Sequence, residues 1–231
     1  MIEPSIIFQD DSLMVINKPA GIVVDKAVTN KNKTIQDWVE ESFDHPLAKD
    51  FERRNGIVHR LDKDTSGVLI IAKTIGAFEE LQRQFKERET GKTYEALVHG
   101  KVEKDGEIDE PVGRLPWNRE RFGVYPGGKA AKTLYHVLSI MEYGKEEFTL
   151  LELHPETGRT HQLRVHLKHI GHPIVSDSFY AGRKTARADQ KWCPRLFLHA
   201  KVLEFTHPTT KEKVQYTAEL PQDLQKVLSS L

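Results

Sequence analysis

Two short segments of the chain concentrate the side chains that could do chemistry. The first spans residues 56–67 (GIVHRLDKDTSG) and places His59, Arg60 and Asp62 just before a continuous apolar run. Charged groups at the entrance to a buried strand are costly unless they are paired or face a cleft. Asp64 has a simpler explanation, because aspartate side chains bond their own backbone in turns. Asp62 lacks that explanation and is a candidate catalytic carboxylate, although on residue type alone a solvated loop carboxylate fits equally well.

The second segment spans residues 157–177 (TGRTHQLRVHLKHIGHPIVSD) and contains no acidic residue before Asp177. If residues 162–170 are helical, Arg164 and Lys168 form a basic ridge at i,i+4 spacing, apart from an apolar face. An arginine there suits either an ion pair with a carboxylate or a two-pronged grip on phosphate. A solvated basic helix face is the alternative, and for Lys168 it is the better interpretation.

The spacing of residues does not support other familiar kinds of site. Four of the eleven histidines lie in the second segment. His161 and His166 have no cysteine partners there and no HExxH pair is present, so the spacing argues against a metal site. The sequence also lacks GxxxxGK[ST], GxGxxG and GxSxG. The single cysteine, Cys193, has no adjacent histidine to activate it, which predicts an inert, buried thiol.

The composition narrows the class of protein. The 231 residues include 34 Lys+Arg and 34 Asp+Glu, and a net charge of zero excludes a globally basic nucleic-acid binder. One cysteine excludes a disulfide framework, no apolar run approaches about 18 residues, and the N-terminus lacks a basic-then-apolar secretion signal. The charge is uneven, because residues 157–201 hold nine Lys/Arg and two Asp, which leaves the remainder with a net charge of −7. This pattern indicates a local basic surface.

The hydrophobic pattern predicts the elements that position these side chains. The predicted strands are residues 5–10, 13–18, 67–72, 94–98, 134–140, 148–153 and 196–205, with tight turns at 11–12 and 143–146. The predicted helices are residues 75–88, 162–170 and 222–231, and a further amphipathic segment that follows Thr34 as its N-cap. Hairpin-connected strands without regular βαβ alternation favour an α+β fold. No linker or repeat marks a boundary, so we expect one mixed domain over residues 1–231, with two lobes about a cleft.

Taken together, these residues resemble the RluA-type RNA pseudouridine synthases. The central motif of that family, HRLDxxTSG, is found here at His59–Gly67 with Asp62 as its aspartate, and GRTHQxRVHLxxxGHPI is found at Gly158–Ile174. The other motifs occur in order: NKPxG at Asn17–Gly21, KxYxAxVxG at Lys92–Gly100, GKxAxTxYxVL at Gly128–Leu138, RLxLHA at Arg195–Ala200 and FxHP at Phe205–Pro208. The resemblance therefore covers nearly the whole chain.

The resemblance implies a pseudouridine synthase catalytic fold, in which a central, mainly antiparallel sheet with flanking helices borders a basic cleft. It implies an isomerase that converts specific uridines of structured RNA, ribosomal or transfer, to pseudouridine without metal or organic cofactor. We expect a cytoplasmic monomer that has no membrane contact. Many members also carry an N-terminal RNA-binding module of the S4 type, and we expect none in this chain.

The resemblance also implies catalytic roles for individual residues. Asp62 would be the nucleophile or charge stabiliser that breaks the glycosidic bond of a uridine flipped out of the RNA. Desolvation beneath the base raises the pKa of a carboxyl group, and a nearby cation lowers it. In the family, the arginine at the position of Arg164 is the cation that lowers this pKa. Tyr94 would stack under the base and is a candidate for assisting C5 deprotonation. Leu61 and Leu163 would wall the pocket.

Basic and polar residues around these positions are expected to contact the RNA. The family assigns Arg60 to the position that the flipped base vacates, where a planar guanidinium stacks and donates better than an ammonium group would. The other expected RNA-binding residues are His59, Lys129, Arg159, His161, Gln162, Arg183 and Lys184. Two positions depart from the family pattern: Asp25 stands where His is frequent, and Ser176 replaces the Gly before Asp177. Both lie outside the catalytic positions and bear on loop shape or substrate preference.

Two other functions remain open from the sequence. A catalytically silent RNA-binding or RNA-chaperone protein on the same fold would need to have lost Asp62 or Tyr94, and both are present. A metal-dependent hydrolase that uses the histidine cluster is a more distant alternative. Full activity in EDTA would exclude the hydrolase.

Overall fold

The computed structural model describes residues 3–27 and 30–231, and the chain forms two compact units. Unit 1 comprises Met1–Gly91 and Ala200–Glu219, and unit 2 comprises Lys92–His199 and Leu220–Leu231. The fold is α+β with a mainly antiparallel sheet, as the sequence predicted. A single catalytic domain over residues 1–231 stays a prediction. Among the residues described, no helix has the length and apolar character needed to span a membrane.

The strands and helices agree with every element that the sequence predicted. The strands are β1 (Ser5–Gln9), β2 (Leu13–Lys18), β3 (Ser66–Ala72), β4 (Gly91–His99), β5 (Gly106–Asp109), β6 (Val112–Leu115), β7 (Asn118–Val124), β8 (Lys132–Tyr143), β9 (Glu146–Pro155), β10 (Leu198–Thr206) and β11 (Lys213–Thr217). The helices are α1 (Ile35–Ser42), α2 (Ile75–Glu87), α3 (Gln162–His169), α4 (Arg183–Asp189) and α5 (Gln222–Ser229), and a 3-10 turn covers Arg54–Gly56. The pattern missed β5, β6, β7, β11 and α4, which are short or half-exposed and lack a strong apolar period.

Unit 1 is built on the strand order β1-β2-β3-β10, with β11 beside β10. All seven residues of β3 are buried, which explains its unbroken apolar sequence, because a strand covered on both faces needs no polar alternation. Val68 and Ile70 of β3 pack in one core with Phe78 and Leu81 of α2. The helical spacing of the α2 residues therefore reflects the face that rests on this sheet.

The first turn of α1 fixes the loop that follows β2. The Thr34 hydroxyl accepts a hydrogen bond from the Asp37 backbone N–H at 3.2 Å, and the Asp37 carboxylate accepts one from the Thr34 backbone N–H at 2.8 Å. This reciprocal capping box confirms Thr34 as the N-cap. The Ile35 and Gln36 N–H groups donate to the carbonyls of Val23 and Val24. The loop is therefore held against the start of α1.

Unit 2 is built on the strand order β4-β9-β8-β5, and β6 and β7 form a separate hairpin. Its core includes Leu97, Leu151 and Phe197 from the strand region and Leu167 from α3. Strands β8 and β9 pair along most of their length and meet at the predicted turn, where Tyr143 faces Glu146. Leu151 and Leu153 of β9 share this core with Leu163 and Leu167 of α3.

Arg164 and Lys168 on helix α3 have different surroundings. Residues 162–167 are all buried, so the helix has no solvated basic face along its first turns. Arg164 and Lys168 share one face of the helix, because both approach the ring of Tyr180. Lys168 is exposed, as expected for a solvated lysine, whereas Arg164 is buried and takes the first of its two proposed roles, an ion pair with a carboxylate.

At Gly67 the backbones of β3 and β10 in unit 1 lie close together. Its φ angle is +121°, and a Cβ built on it would lie 2.0 Å from the carbonyl oxygen of Ala200 in β10. An L-residue would be strained at this φ angle and would also collide with backbone that cannot move aside. The glycine of the TSG motif is thus required by the sheet.

Replacement of Gly67 by Ala is expected to destabilise the protein by more than about 3 kcal/mol, because backbone strain and a steric clash add at one site. Gly76 in α2 is the matched control, since its Cβ would meet nothing within 4 Å. Gly76→Ala should change the free energy of unfolding by no more than about 1 kcal/mol. Urea unfolding of both variants measures the difference, and similar losses would contradict this account of Gly67.

Candidate active site

Asp62 lies on a turn that leads directly into β3. The Thr65 backbone N–H donates to the Asp62 carbonyl at 3.2 Å, and the side chains of Lys63 and Asp64 at the tip of the turn are exposed. Leu61, just before it, is buried. Asp62 itself is half-buried. The turn thus separates one carboxylate that lies partly inside the protein from another that points to solvent.

The fully buried ammonium group of Lys18 holds this turn in place. Its Nζ donates to the carbonyl oxygens of Pro19 at 2.9 Å, Ile22 at 3.0 Å and Lys63 at 3.2 Å. The Gly21 N–H donates to the same Lys63 carbonyl at 2.8 Å. A buried cation is tolerated only when acceptors surround it, and here those acceptors join the NKPAG loop to the residue after Asp62. We name this arrangement the Lys18 clamp.

His59 and Arg60 occupy different surroundings although they are neighbours in sequence. The His59 ring accepts a hydrogen bond at Nε2 from the Ile70 N–H at 3.0 Å and stacks on Phe85, with ring centroids 4.6 Å apart. Its ring is therefore part of the packing around β3. The Arg60 side chain is 58% exposed, and its guanidinium lies 3.3 Å from the Asp25 carboxylate. Arg60 is the more accessible of the two predicted RNA contacts.

Arg164 in unit 2 forms a buried, two-pronged ion pair with Asp177. Its Nε and Nη2 each donate to a different carboxylate oxygen at 2.8 Å. The same carboxylate accepts the backbone N–H groups of Phe179 and Tyr180 at 2.9 and 3.0 Å, and the guanidinium lies 5.0 Å from the centre of the Tyr180 ring. Such an arrangement fixes the plane of the guanidinium. Asp177 is thus a site residue that sequence reasoning missed, although it is the first acid after a long basic stretch.

His161 and Gln162, at the start of α3, were predicted to contact RNA, and both form hydrogen bonds within unit 2. The Gln162 side chain is buried and accepts from the Thr157 hydroxyl at 2.7 Å and the Arg159 N–H at 3.0 Å, while its amide donates to the Lys132 carbonyl and the Thr133 hydroxyl. These bonds occupy its polar atoms, so Gln162 braces α3 and does not suit an RNA contact. The ring of His161 shares a 2.8 Å hydrogen bond with the Tyr180 hydroxyl and remains half-exposed.

The remaining predicted residues lie in unit 2 at different degrees of exposure. Tyr94 is half-buried on β4, opposite Leu153 of β9, and packs against the core that contains Leu163. The exposed predicted RNA contacts are Lys129, Arg183 and Lys184, and Arg159 is half-exposed with its Nε donating to the Ala130 carbonyl at 3.2 Å. Thus unit 1 supplies His59, Arg60, Leu61 and Asp62, and unit 2 supplies the other predicted site residues.

Ser176, one of the two departures from the family pattern, is accommodated by specific hydrogen bonds. Its φ angle is +59°, in the region that favours glycine. Its N–H donates to the Asp189 carboxylate at 2.9 Å and its hydroxyl donates to the Cys193 carbonyl at 2.6 Å. The prediction that Cys193 is buried is confirmed, and burial raises the pKa of its thiol to about 11.

The histidines of the second segment bond to protein groups. His166 is buried, and its Nε2 donates to the Glu110 carbonyl at 2.9 Å, which leaves Nδ1 of the neutral ring to accept from the Thr133 hydroxyl at 3.0 Å. His172 Nδ1 donates to the His99 carbonyl at 2.8 Å. Within the part of the chain that the structure describes, no three His, Cys, Asp or Glu side chains are grouped to hold a metal ion.

Proteins of known family resemble this chain over most of its length. Residues 12–169 match the family described as RNA pseudouridylate synthase. A ribosomal large subunit pseudouridine synthase D of Nitrosomonas europaea is 44% identical over 98% of this chain and 64% of its own length, and one of Haemophilus influenzae is 39% identical over 98% and 70%. The solved structure of human RNA pseudouridylate synthase domain containing 1 matches with a TM-score of 0.76 at 29% identity, over 95% of this chain and 84% of that one. This chain thus spans 64% and 70% of the two bacterial relatives.

The buried His166 should make the stability of the protein depend on pH. Burial lowers the pKa of His166 below its ordinary value of 6.5, so the folded state favours the neutral ring. Its contribution to folding is therefore complete above about pH 6.5 and is lost as the pH falls below that value. We expect the stability difference between the wild type and His166→Gln to shrink from pH 7.5 to pH 5 in urea unfolding.

The exposed His169 on the same helix is the matched control for this measurement. His169→Gln should change the free energy of unfolding at pH 7.5 by no more than about 0.5 kcal/mol, because the side chain is exposed. A difference between wild type and His166→Gln that stays constant or grows as the pH falls would contradict the role given to burial.

Proposed function

Because this chain belongs to the RNA pseudouridylate synthase family, we propose that it isomerises specific uridines of structured RNA to pseudouridine. The printed names of the bacterial relatives refer to the ribosomal large subunit. The large-subunit ribosomal RNA is therefore the proposed substrate, in preference to transfer RNA. Action as a cytoplasmic monomer, without metal or organic cofactor, is part of the same proposal.

The observation that carries this proposal is the Lys18 clamp on the turn of Asp62. A carboxylate that takes part in bond breaking must be held within a fraction of an ångström of its working position. The clamp fixes the backbone on one side of Asp62, and buried Leu61 fixes it on the other. A solvated loop carboxylate, the alternative left open by the sequence, would need neither. Asp64 at the exposed tip fits that description instead.

The proposed reaction rearranges one nucleoside without net gain or loss of atoms. The bond from N1 of uracil to C1′ of ribose breaks, the base turns, and C5 forms a new bond to C1′. C5 then gives up its proton and N1 takes one up, so the product is an isomer of the substrate. In this proposal the Asp62 carboxylate acts as the nucleophile or stabilises the positive charge that develops when the first bond breaks.

Residues of unit 2 support the chemistry in this proposal. Arg164 supplies the cation that keeps the catalytic carboxylate ionised when a base excludes water. Its ion pair with Asp177 favours this role, because the guanidinium cannot swing toward solvent or phosphate. Tyr94 would stack on the flipped base and assist proton removal from C5. Leu163 would exclude water beside it.

The proposal also requires that the target uridine leaves its helix. Flipping a base out of a stacked duplex costs a few kcal/mol, which protein groups must offset. Arg60 is suited to fill the vacated position because its guanidinium is exposed and close to Asp62 in sequence. The exposed Lys129, Arg183 and Lys184 would bind phosphate groups around the site.

Replacement of Asp62 by Asn should abolish catalysis while RNA binding stays intact. The amide keeps the size of the side chain but cannot act as a nucleophile, so tritium release from [5-³H]uridine-labelled large-subunit rRNA should fall by about a thousandfold or more. Gel-shift titration with the same RNA should give a Kd close to that of the wild type.

Asp64→Asn is the matched control, since it makes the same chemical change two residues away on the exposed tip of the turn. It should release tritium at the wild-type rate. Retained turnover in Asp62→Asn would refute the catalytic assignment, and a wild-type chain that binds RNA without any tritium release would favour a silent RNA-binding protein.

A further inference from the structure

Asp25 lies between two arginines of unit 1. Its Oδ1 accepts hydrogen bonds from Nε of Arg54, at 2.9 Å, and from Nη2 of the same guanidinium. Its Oδ2 lies 3.3 Å from Nη1 of Arg60. One carboxylate therefore contacts the 3-10 turn that precedes β3 and the residue two positions before Asp62. In the described residues, Asp25 is the one acidic side chain within ion-pair distance of Arg60.

The two arginines are held unequally. Arg54 makes two hydrogen bonds to Asp25 and its side chain is 34% exposed, whereas Arg60 makes one longer contact and is 58% exposed. An exposed ion pair with a single contact contributes little free energy and is easily broken. Arg60 can therefore leave Asp25 at small cost. Arg54 would remain bonded to Asp25, so this half-buried carboxylate would keep a positively charged partner.

The charge of this cluster suits an exchange of partners. Two guanidinium groups face one carboxylate, which leaves a surplus positive charge on the exposed member. An RNA phosphate or base edge that approaches Arg60 would compete with one weak contact. A guanidinium that is already oriented loses less conformational entropy when it binds than a freely rotating side chain does.

We propose that Asp25 is a positioning residue for Arg60: it holds the guanidinium ready in the RNA-free protein and releases it to the RNA, while Arg54 keeps Asp25 paired. This inference rests on the proposed function. The loop that carries Asp25 is fixed at its start by the Lys18 clamp and next to Asp25 by the bonds from α1 to Val23 and Val24. The departure of Asp25 from the family pattern thereby acquires a role in the conformation of Arg60.

The decisive variant is Asp25→Asn, which keeps the shape and removes the charge. With [5-³H]uridine-labelled large-subunit rRNA, kcat should fall about two- to fivefold, the most that one exposed contact can contribute, because Arg60 is no longer oriented. KM should not rise, since the variant removes a negative charge that opposes RNA binding. Asp50→Asn is the matched control, because Asp50 pairs with Arg53 at 2.9 Å and is 22% exposed against 23% for Asp25. It should leave kcat and KM unchanged.

A double-mutant cycle separates positioning from a general structural role. If Asp25 acts through Arg60, Asp25→Asn should lower the activity of Arg60→Met little or not at all. Equal loss from Asp25→Asn in the presence and absence of Arg60 would overturn the inference, as would wild-type kcat in Asp25→Asn. If Asp62→Asn abolishes tritium release while Asp25→Asn behaves as wild type, the proposed function stands and this inference alone falls. A wild-type chain without tritium release would overturn both.

Discussion

The buried ammonium of Lys18 is the constraint on which the geometry around Asp62 depends. A cation with no exposure to solvent must be surrounded by acceptors, and three backbone carbonyls from two separate segments provide them. Lys18 is the last residue of β2 and pairs with Gly67 at the start of β3. The clamp therefore lies where the loop leaves β2 and the turn enters β3. The loop after β2 and the turn before β3 are thereby fixed together. Where the structure describes them, neither segment has regular secondary structure of its own to hold it.

Unit 2 uses the same means to orient α3. Buried polar groups are costly unless they are satisfied, but a satisfied network admits only one arrangement. The ion pair of Arg164 with Asp177 sets the plane of the guanidinium, and the bonds of Gln162 and His166 to Thr133 attach the helix to β8. Packing of Leu167 in the core supplies the apolar part of the same contact. Contacts within unit 2 thus restrict the side chains of Arg164, Gln162 and His166.

The extent to which the sequence predicted this structure depends on the range of the interactions involved. Local sequence patterns were sufficient to predict β3, α2 and the N-cap at Thr34, because hydrophobic periodicity and helix capping act within a few residues. The HRLDxxTSG motif also singled out Asp62 as a candidate, and this residue lies half-buried on the turn before β3. For Arg164 the sequence left two roles open, and Asp177 was overlooked as its partner, because their contact joins residues 13 positions apart. The buried role of Gln162 likewise depends on β8, about 30 residues away.

The most direct measurement of the central claim is a map of pseudouridines in total RNA from a strain that lacks this gene. The account predicts that one or more uridines of the large-subunit rRNA remain unmodified in that strain. Expression of the wild-type chain should restore pseudouridine at those positions, and the Asp62→Asn chain should not. An unchanged pattern in the deletion strain, or restoration by the Asp62→Asn chain, would contradict the account.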